Sequence, residues 1–226
     1  MAELVLALDL PSGADALRLL DRVSTLRWVK VGSVLMTREG APLIRELVGR
    51  GLQVFLDLKW HDIPNTVRGA VAAARDQGVA MVTVHTLGGA EMMAAAAEAA
   101  GPGLGVVGVT VLTSHDAPGY ARATGREAVD LEGEVARQAG HAIQAGLRGV
   151  VCSPLELPSV NRVVPEGTWV VVPGIRRAGD AAGDQARIAG PAEAVAAGAT
   201  HLVVGRPILD APDPAAMVGR FLQEIG

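Results

Sequence analysis

The sequence is poor in cysteine, in aromatic residues and in long apolar runs. Cys152 is the only cysteine among 226 residues, which excludes an intrachain disulfide framework and the paired cysteines of a structural zinc site. Aromatic residues make up 3% of the chain, so the core must be built from Val, Leu, Ile and Ala, the residues of buried parallel strands. The opening MAELVLALDL lacks the basic start of a secretory signal, and no run of about 18 apolar residues could span a membrane. We therefore expect a protein of the reducing cytoplasm with no membrane contact.

The sequence also lacks a basic patch. The formal net charge is -4, and the Lys and Arg residues are scattered along the chain. Nucleic-acid binding requires clustered positive charge, so a polynucleotide partner is not expected. A single α/β barrel commonly takes about 250 residues, and no linker or composition break divides this chain. One catalytic domain over residues 1–226 is therefore predicted.

Short apolar runs rich in β-branched residues alternate with helical stretches, which is the pattern of βα units around a parallel sheet. The predicted strands are Leu4–Leu8, Trp28–Gly32, Gln53–Leu58, Met81–His85, Gly105–Leu112, Gly149–Cys152, Trp169–Val172 and His201–Val204. The predicted helices are Ala14–Leu26, Arg38–Arg50, Asn65–Gln77, Ala90–Ala100, Leu131–Ala145, Leu155–Asn161, Ala192–Ala197 and Pro214–Ile225. Eight such units predict an α/β protein with either a closed barrel or an open sheet.

Periodicity alone does not separate a closed barrel from an open, doubly wound sheet. The dinucleotide fingerprint G-x-G-x-x-G of many open sheets is absent after the first strand, which runs instead into Asp9-Leu10-Pro11-Ser12-Gly13. This absence favours a (β/α)₈ TIM barrel.

Polar residues cluster at or near the carboxyl ends of the predicted strands. They are Asp9, Lys30, Asp57, Lys59, His85, Thr113 and Arg206. A charge beside an apolar strand is costly unless it is paired, and in a barrel this end carries the active site. Single residues of this kind often do no more than reach solvent, but seven together indicate a functional site.

The densest group follows the third strand, in VFLDLKWHDIPNT. With a side-chain period of two, Asp57 and Lys59 lie on the same face of that strand. At about 4 Å and an effective dielectric near 20, the two charges attract by roughly 4 kcal/mol, which would keep Lys59 protonated as a general acid. An inert structural ion pair is the alternative.

The stretch DLKWHDIPNT closely resembles the DxKxxD signature of the orotidine 5'-phosphate decarboxylases, which in many members reads DLKFHDIPNT. Only Trp60 departs from that form. Further landmarks of the family occur in order along nearly the whole chain: ALDL around Asp9, VKVG around Lys30, VTVH ending at His85, VLTS around Thr113, VCSPLE from Val151, VPGIR ending at Arg176 and VVGRPI around Arg206.

The resemblance implies a cofactor-free decarboxylase that converts orotidine 5'-phosphate to uridine 5'-phosphate in pyrimidine biosynthesis. It implies an alternating charged array of Lys30, Asp57, Lys59 and Asp62 around the scissile carboxylate, with Lys59 protonating C6 of the pyrimidine. It further implies that Asp62 reaches into the site of a neighbouring subunit, and hence that the enzyme is a homodimer. No metal site is expected.

The resemblance also assigns substrate-binding residues. Asp9, Lys30 and the loop of Asp62, Ile63, Pro64, Asn65 and Thr66 are expected at the ribose, and Thr113 at the pyrimidine, although a threonine in VTVLTS is also an ordinary strand residue. Gly205 and Arg206 are expected at the phosphate, where barrels often bind this group. Arg176 and Gln185 resemble a phosphate-gripping loop, for which a surface linker is the alternative.

Two other functions are compatible with parts of this pattern. Hexulose-6-phosphate synthase and ketogulonate-6-phosphate decarboxylase share DxKxxD but use Mg²⁺, and they carry a glutamate ligand where this chain has the cation Lys30. A barrel that binds phosphate without catalysis would keep Gly205 and Arg206, but the intact charged residues argue against it. His85 has no companion at metal-ligand spacing and Cys152 is expected to fill core space, so neither is predicted as a ligand or nucleophile.

Overall fold

The structure, a computed structural model, describes residues 2–177 and 187–226. Eight parallel strands follow one another around a closed barrel, and the last strand pairs with the first. They are β1 Glu3–Ala7, β2 Trp28–Gly32, β3 Gln53–Trp60, β4 Met81–His85, β5 Gly105–Val109, β6 Gly149–Val151, β7 Trp169–Val172 and β8 His201–Val204. The predicted α/β barrel is thus confirmed, and the open sheet is excluded.

Helices connect successive strands and cover the outside of the barrel. They are α1 Gly13–Leu20, α2 Ser33–Gly49, α3 Pro64–Asp76, α4 Gly89–Ala100, α5 Ala117–Ala123, α6 Leu131–Gln144, α7 Leu157–Asn161, α8 Pro191–Ala196, α9 Arg206–Leu209 and α10 Pro214–Glu224. In the described part of the chain, none of these helices has the length and apolarity needed to cross a membrane.

Side-chain alternation along the strands divides the apolar residues into two cores. In β1, Leu4 and Leu6 belong to the core between barrel and helices, whereas Val5 and Ala7 belong to the core inside the barrel. Inside, the amino-terminal end of the barrel is filled by Trp28 and Trp169, whose rings meet edge to face, with His201 against both. The barrel interior is therefore filled by side chains at its amino-terminal end, and the active site of a barrel lies at the carboxyl end.

Four of the predicted strands have the observed boundaries, and the largest differences lie in helices. Helix α1 ends at Leu20, six residues before the predicted end at Leu26. Helix α2 begins at Ser33, five residues before the predicted start at Arg38, and it is interrupted at Gly40, where φ is 63° and ψ is -156°. Pro42 then falls in the first turn of the second helical segment, where its missing N–H has no helical partner to lose. The fifth strand ends at Val109 rather than Leu112, and α5 and α9 were not predicted.

Candidate active site

A cavity of about 510 Å³ opens at the carboxyl end of the barrel. Eight of the residues predicted for the site line it: Asp9, Lys30, Asp57, Lys59, Thr113, Arg176, Gly205 and Arg206. Val109, Val111, Leu112 and Val171 give the same cavity apolar walls. Charged groups and an apolar surface in one space are what a polar, planar ligand needs.

The strand register explains why the charges converge. Lys30 pairs in register with Phe55, and Gly32 pairs with Asp57. The side chains of Lys30 on β2 and Asp57 on β3 therefore occupy successive inward positions of neighbouring strands. Nearer the amino-terminal end of the barrel the inward positions are apolar: Phe55 precedes Asp57 on β3, and Val5 lies inside the barrel on β1. On β2 and on β3, one apolar inward residue is therefore followed two positions later by a charged one.

The charged side chains form a chain of alternating sign. Lys30 Nζ lies 3.3 Å from Asp9 Oδ1 and 3.6 Å from Asp57 Oδ2, and Lys59 Nζ lies 2.8 Å from Asp57 Oδ1. Lys30 and Asp57 have side chains only 12% and 13% exposed, whereas Lys59 is 40% exposed. Asp57 is thus held between two ammonium groups, and Lys59 faces the open part of the cavity.

The protonation of Asp57 follows from these neighbours. Burial alone raises the pKa of its carboxyl, but the charges of Lys30 and Lys59 and the hydrogen bonds from Lys59 and Thr83 outweigh burial. The pKa of Asp57 consequently lies below its ordinary value, and the carboxylate is ionised at neutral pH.

The contact between Asp57 and Lys59 is made by an irregular strand, not by the regular alternation that the sequence predicted. Leu56 pairs with Val82, but Trp60 pairs with Val84, so β3 carries two more residues than β4 over this interval. Within this bulge Lys59 has φ of 52°, the only positive φ of a non-glycine residue in the described part of the chain. Such a conformation costs of order 1–3 kcal/mol and is typical of functional sites.

The expected phosphate-binding residues Arg176, Gly205 and Arg206 line the same cavity. Gly205 precedes α9, and Arg206 begins it. Arg176 is 8% exposed, and its main-chain N–H donates to the carbonyl of Ala189 at 3.0 Å, which joins the two ends of the segment between them. Gln185, the remaining residue predicted there, lies outside the described residues.

Arg187, which the sequence did not indicate, anchors the far end of that segment. Its guanidinium donates to the carboxylate of Glu156 and, at 3.1 Å, to the carbonyl of Leu112. Both charged side chains are buried. Leu112 precedes Thr113, so this ion pair supports the wall where the pyrimidine is expected.

The motif residues after β3 do not line the cavity of their own chain, and Pro64, Asn65 and Thr66 form the first turn of α3 rather than the predicted loop. Asp62, Ile63, Asn65 and Thr66 are exposed, and Pro64 is partly exposed. The Asp62 carboxylate accepts the main-chain N–H of Ile63 at 2.6 Å. Among the ion pairs of residues 2–177 and 187–226, none involves Asp62. Of the predicted array, the single chain therefore brings together three members, Lys30, Asp57 and Lys59, with Asp9 as the fourth charge.

His85 is partly buried and Cys152 is fully buried. His85 stacks on His61 with ring centroids 5.6 Å apart, and burial, His61 and Lys59 lower the pKa of His85 below its ordinary value. Cys152 is 1% exposed, and burial raises the pKa of its thiol, which suits the packing role predicted for it. Across the described ranges, no group of three or more His, Cys, Asp or Glu side chains is arranged to hold a metal ion.

Comparison with known proteins gives consistent similarities. Residues 2–221 match the model of the orotidine 5'-phosphate decarboxylase / HUMPS family. The chain is 51% identical to the orotidine 5'-phosphate decarboxylase of Halorhodospira halophila, over 98% of this chain and 95% of that protein. It is 51% identical to that of Anaeromyxobacter sp. strain K, over 93% of this chain and 92% of that protein. The crystal structure of orotidine 5'-phosphate decarboxylase from Lactobacillus acidophilus superposes with a TM-score of 0.89 at 31% identity, covering all of both chains.

Proposed function

Since the chain belongs to the orotidine 5'-phosphate decarboxylase / HUMPS family, we propose that it removes carbon dioxide from orotidine 5'-phosphate and releases uridine 5'-phosphate. The observation that carries the proposal is the alternating array of Asp9, Lys30, Asp57 and Lys59 in a cavity with apolar walls. This array provides fixed charges where a decarboxylation without an electron sink develops negative charge.

The reaction breaks the bond between C6 of the pyrimidine and the carboxylate carbon. The electron pair stays on C6, in an orbital poorly placed for delocalisation into the ring, so the transition state needs a nearby positive charge. Lys59 supplies it from the open side of the array and then donates a proton to C6. Carbon dioxide leaves, and solvent returns a proton to Lys59 before the next turnover.

Asp57 orients Lys59 and lies beside the substrate carboxylate. Its two oxygens accept from Lys59 Nζ at 2.8 and 2.9 Å, which fixes the ammonium group before the substrate binds. A charge fixed in advance avoids the reorganisation that water would require during the reaction. Repulsion between Asp57 and the substrate carboxylate also favours release of carbon dioxide.

The rest of the substrate fits the remaining residues of the cavity. Asp9 and Lys30 contact the ribose hydroxyls, and Thr113 contacts the pyrimidine. The phosphate is bound by the main-chain N–H of Gly205 and the guanidinium of Arg206, which offers paired donors to an oxyanion. Arg176 and Gln185 complete this site from the segment after β7. Binding energy from the distant phosphate then helps to position the ring.

The reaction proceeds without a metal ion. Asp57 is already paired with two ammonium groups, and Lys30, 3.6 Å from Asp57, is a cation where the resemblance places a glutamate ligand in the Mg²⁺-dependent enzymes. Like charges at this distance repel, so cation binding would require the displacement of Lys30. This feature distinguishes the chain from the Mg²⁺-dependent sugar-phosphate lyases.

The active form is a cytoplasmic homodimer with shared sites, in which residues 1–226 form one catalytic domain. Asp62 has no cationic partner among the described residues of its own chain, and it is followed by Ile63, which is 67% exposed. Val34, on the same end of the barrel, is 65% exposed. An interface over these apolar side chains would bring Asp62, with Asn65 and Thr66, to the site of the second subunit.

A single unpaired cysteine suits a reducing compartment.

Identification of the product tests the reaction. The purified chain is incubated with orotidine 5'-phosphate, and uridine 5'-phosphate and carbon dioxide are quantified. The proposal predicts equal amounts of both products. Turnover only of sugar phosphates with Mg²⁺ would contradict it, and so would tight nucleotide binding with no product.

A further inference from the structure

Thr83 connects the backbone of Lys59 to the carboxylate of Asp57. Thr83 lies in β4 and is 0% exposed. Its Oγ1 accepts the main-chain N–H of Lys59 at 2.8 Å and donates to Asp57 Oδ1 at 3.1 Å. A hydroxyl has one hydrogen and two lone pairs, so it can make both bonds at once. One buried side chain therefore contacts both members of the central ion pair.

These bonds occur where the strand is irregular. The main-chain N–H of Gln53 donates to the carbonyl of Arg27 on the β2 side, so in a regular strand the Lys59 N–H would also point towards a main-chain carbonyl of β2. The bulge between Leu56 and Trp60 interrupts this alternation. A buried N–H without an acceptor is costly. The Thr83 hydroxyl replaces the missing carbonyl, and it does so at the residue whose φ of 52° is unfavourable for a side-chain-bearing residue.

We propose that Thr83 is a positioning residue for the decarboxylation, because its hydroxyl holds the strained Lys59 backbone and the Asp57 carboxylate in the geometry that points the Lys59 ammonium at the substrate. The inference rests on the proposed function and extends it to a residue below the cavity floor. Thr83 does not contact the substrate; it acts through Lys59 and Asp57.

Three variants separate the hydroxyl from the shape of the side chain. Thr83→Val keeps the β-branched shape and removes both hydrogen bonds, while Thr83→Ser keeps the hydroxyl and removes the methyl group. Thr110→Val is the matched control, because Thr110 is also 0% exposed, donates to the Val151 carbonyl at 2.8 Å and does not line the cavity. All three are compared for kcat and KM with orotidine 5'-phosphate.

The expected result is a change in kcat with little change in KM. Because a displacement of a catalytic group by about 1 Å can cost on the order of 100-fold, we expect Thr83→Val to lower kcat by roughly 10- to 100-fold. KM should change little, since the phosphate and ribose residues are untouched. Thr83→Ser and Thr110→Val should retain most of the wild-type kcat. Unchanged thermal unfolding and uridine 5'-phosphate binding by Thr83→Val would exclude misfolding as the cause.

The pH profile gives a second readout that loss of packing would not change. Asp57 faces Lys30 from β2 and Lys59 from its own strand, and from β4 it receives the hydrogen bond of Thr83. Burial raises the pKa of Asp57, and the Thr83 bond is one of the contacts that lower it. The acid limb of kcat should therefore move to higher pH in Thr83→Val and stay in place in Thr83→Ser.

The outcomes are distinct. Wild-type kcat in Thr83→Val, equal defects in Thr83→Val and Thr83→Ser, or an acid limb that does not move would each overturn the role of Thr83. Failure of the wild-type protein to decarboxylate orotidine 5'-phosphate would instead overturn the proposed function on which the inference rests.

Discussion

The Lys59 ammonium lies 2.8 and 2.9 Å from the two carboxylate oxygens of Asp57, and Asp57 is in turn 3.6 Å from Lys30. One carboxylate therefore compensates two cations, one of which is largely buried. Lys30 is also paired with Asp9 at 3.3 Å, whereas Lys59 has no carboxylate partner other than Asp57 among the described residues. Asp57 therefore links the two lysines.

Asp57→Asn tests this link. The substitution keeps the shape of the side chain but removes the charge that holds both ammonium groups, so the lysines repel each other and Lys59 loses its fixed position. Removal of one preorganised electrostatic group typically costs about 10²- to 10³-fold in rate, and we expect a loss of this order in kcat/KM. Asp76→Asn is the control, because the Asp76 carboxylate on α3 is 68% exposed, and it should leave kcat/KM unchanged. Near-normal activity of Asp57→Asn would contradict the role of the carboxylate.

Arg206→Ala tests the phosphate site. A hydrogen bond to a charged group contributes about 1.5–3 kcal/mol, so the affinity for uridine 5'-phosphate should fall roughly 10- to 100-fold. The affinity for uridine, which has no phosphate, should stay the same. Isothermal titration of both ligands measures the difference, with Arg220→Ala on α10 as an exposed-arginine control. Equal losses for nucleotide and nucleoside would remove Arg206 from the phosphate site.

Mixed subunits test the shared site. Chains carrying Asp62→Ala and chains carrying Lys59→Ala should each be inactive as homodimers, whereas a heterodimer regains one site with both native residues. Mixing the two inactive proteins should thus restore part of the wild-type activity. Exchange of subunits is verified independently with differently tagged chains. Complete inactivity after verified exchange would mean that Asp62 does not act across an interface.

The burial of His201 should make the folded barrel less stable in acid. Burial lowers the pKa of His201 to about 4, against about 6.5 in the unfolded chain. The neutral imidazole is favoured in the folded state, so its contribution to stability is complete above pH 6.5 and is lost as the pH falls from 6.5 towards 4. From pH 7 to pH 5 the loss amounts to about 2 kcal/mol.

His201→Phe provides the comparison, since the new ring can pack against Trp28 and Trp169 without titrating. Urea unfolding at pH 7 and pH 5 should show a smaller loss of unfolding free energy in this variant than in the wild type. An equal loss in both proteins would assign the acid sensitivity to other groups.

The sequence predicted the barrel because its strands are short and apolar and because glycine ends several of its helices. Gly78 and Gly146, for example, have φ of 76° and 88° just after α3 and α6. It missed α5, where Asp116 caps a helix of seven residues whose second and third residues are Pro118 and Gly119, both of which usually indicate a turn. Local composition does not reveal a short helix that tertiary contacts stabilise.

The candidate site was predicted in part by position and in part by resemblance. Asp9, Lys30 and Asp57 were found because each is a charge at the end of an apolar strand. The bulge at Lys59 was not found, because strand pairing is a property of two segments and the extra residues of β3 are visible only against β4. Thr83 was missed for the same reason: in VTVH it is an ordinary strand residue until its neighbour on β3 is known.

The most direct test of the account is the turnover of orotidine 5'-phosphate in excess EDTA by the wild-type protein and by Lys59→Ala, followed as the loss of orotate-ring absorbance. The proposed mechanism predicts rapid, metal-independent turnover by the wild type and none by the folded variant. Turnover that requires added Mg²⁺, or full activity without Lys59, would contradict it.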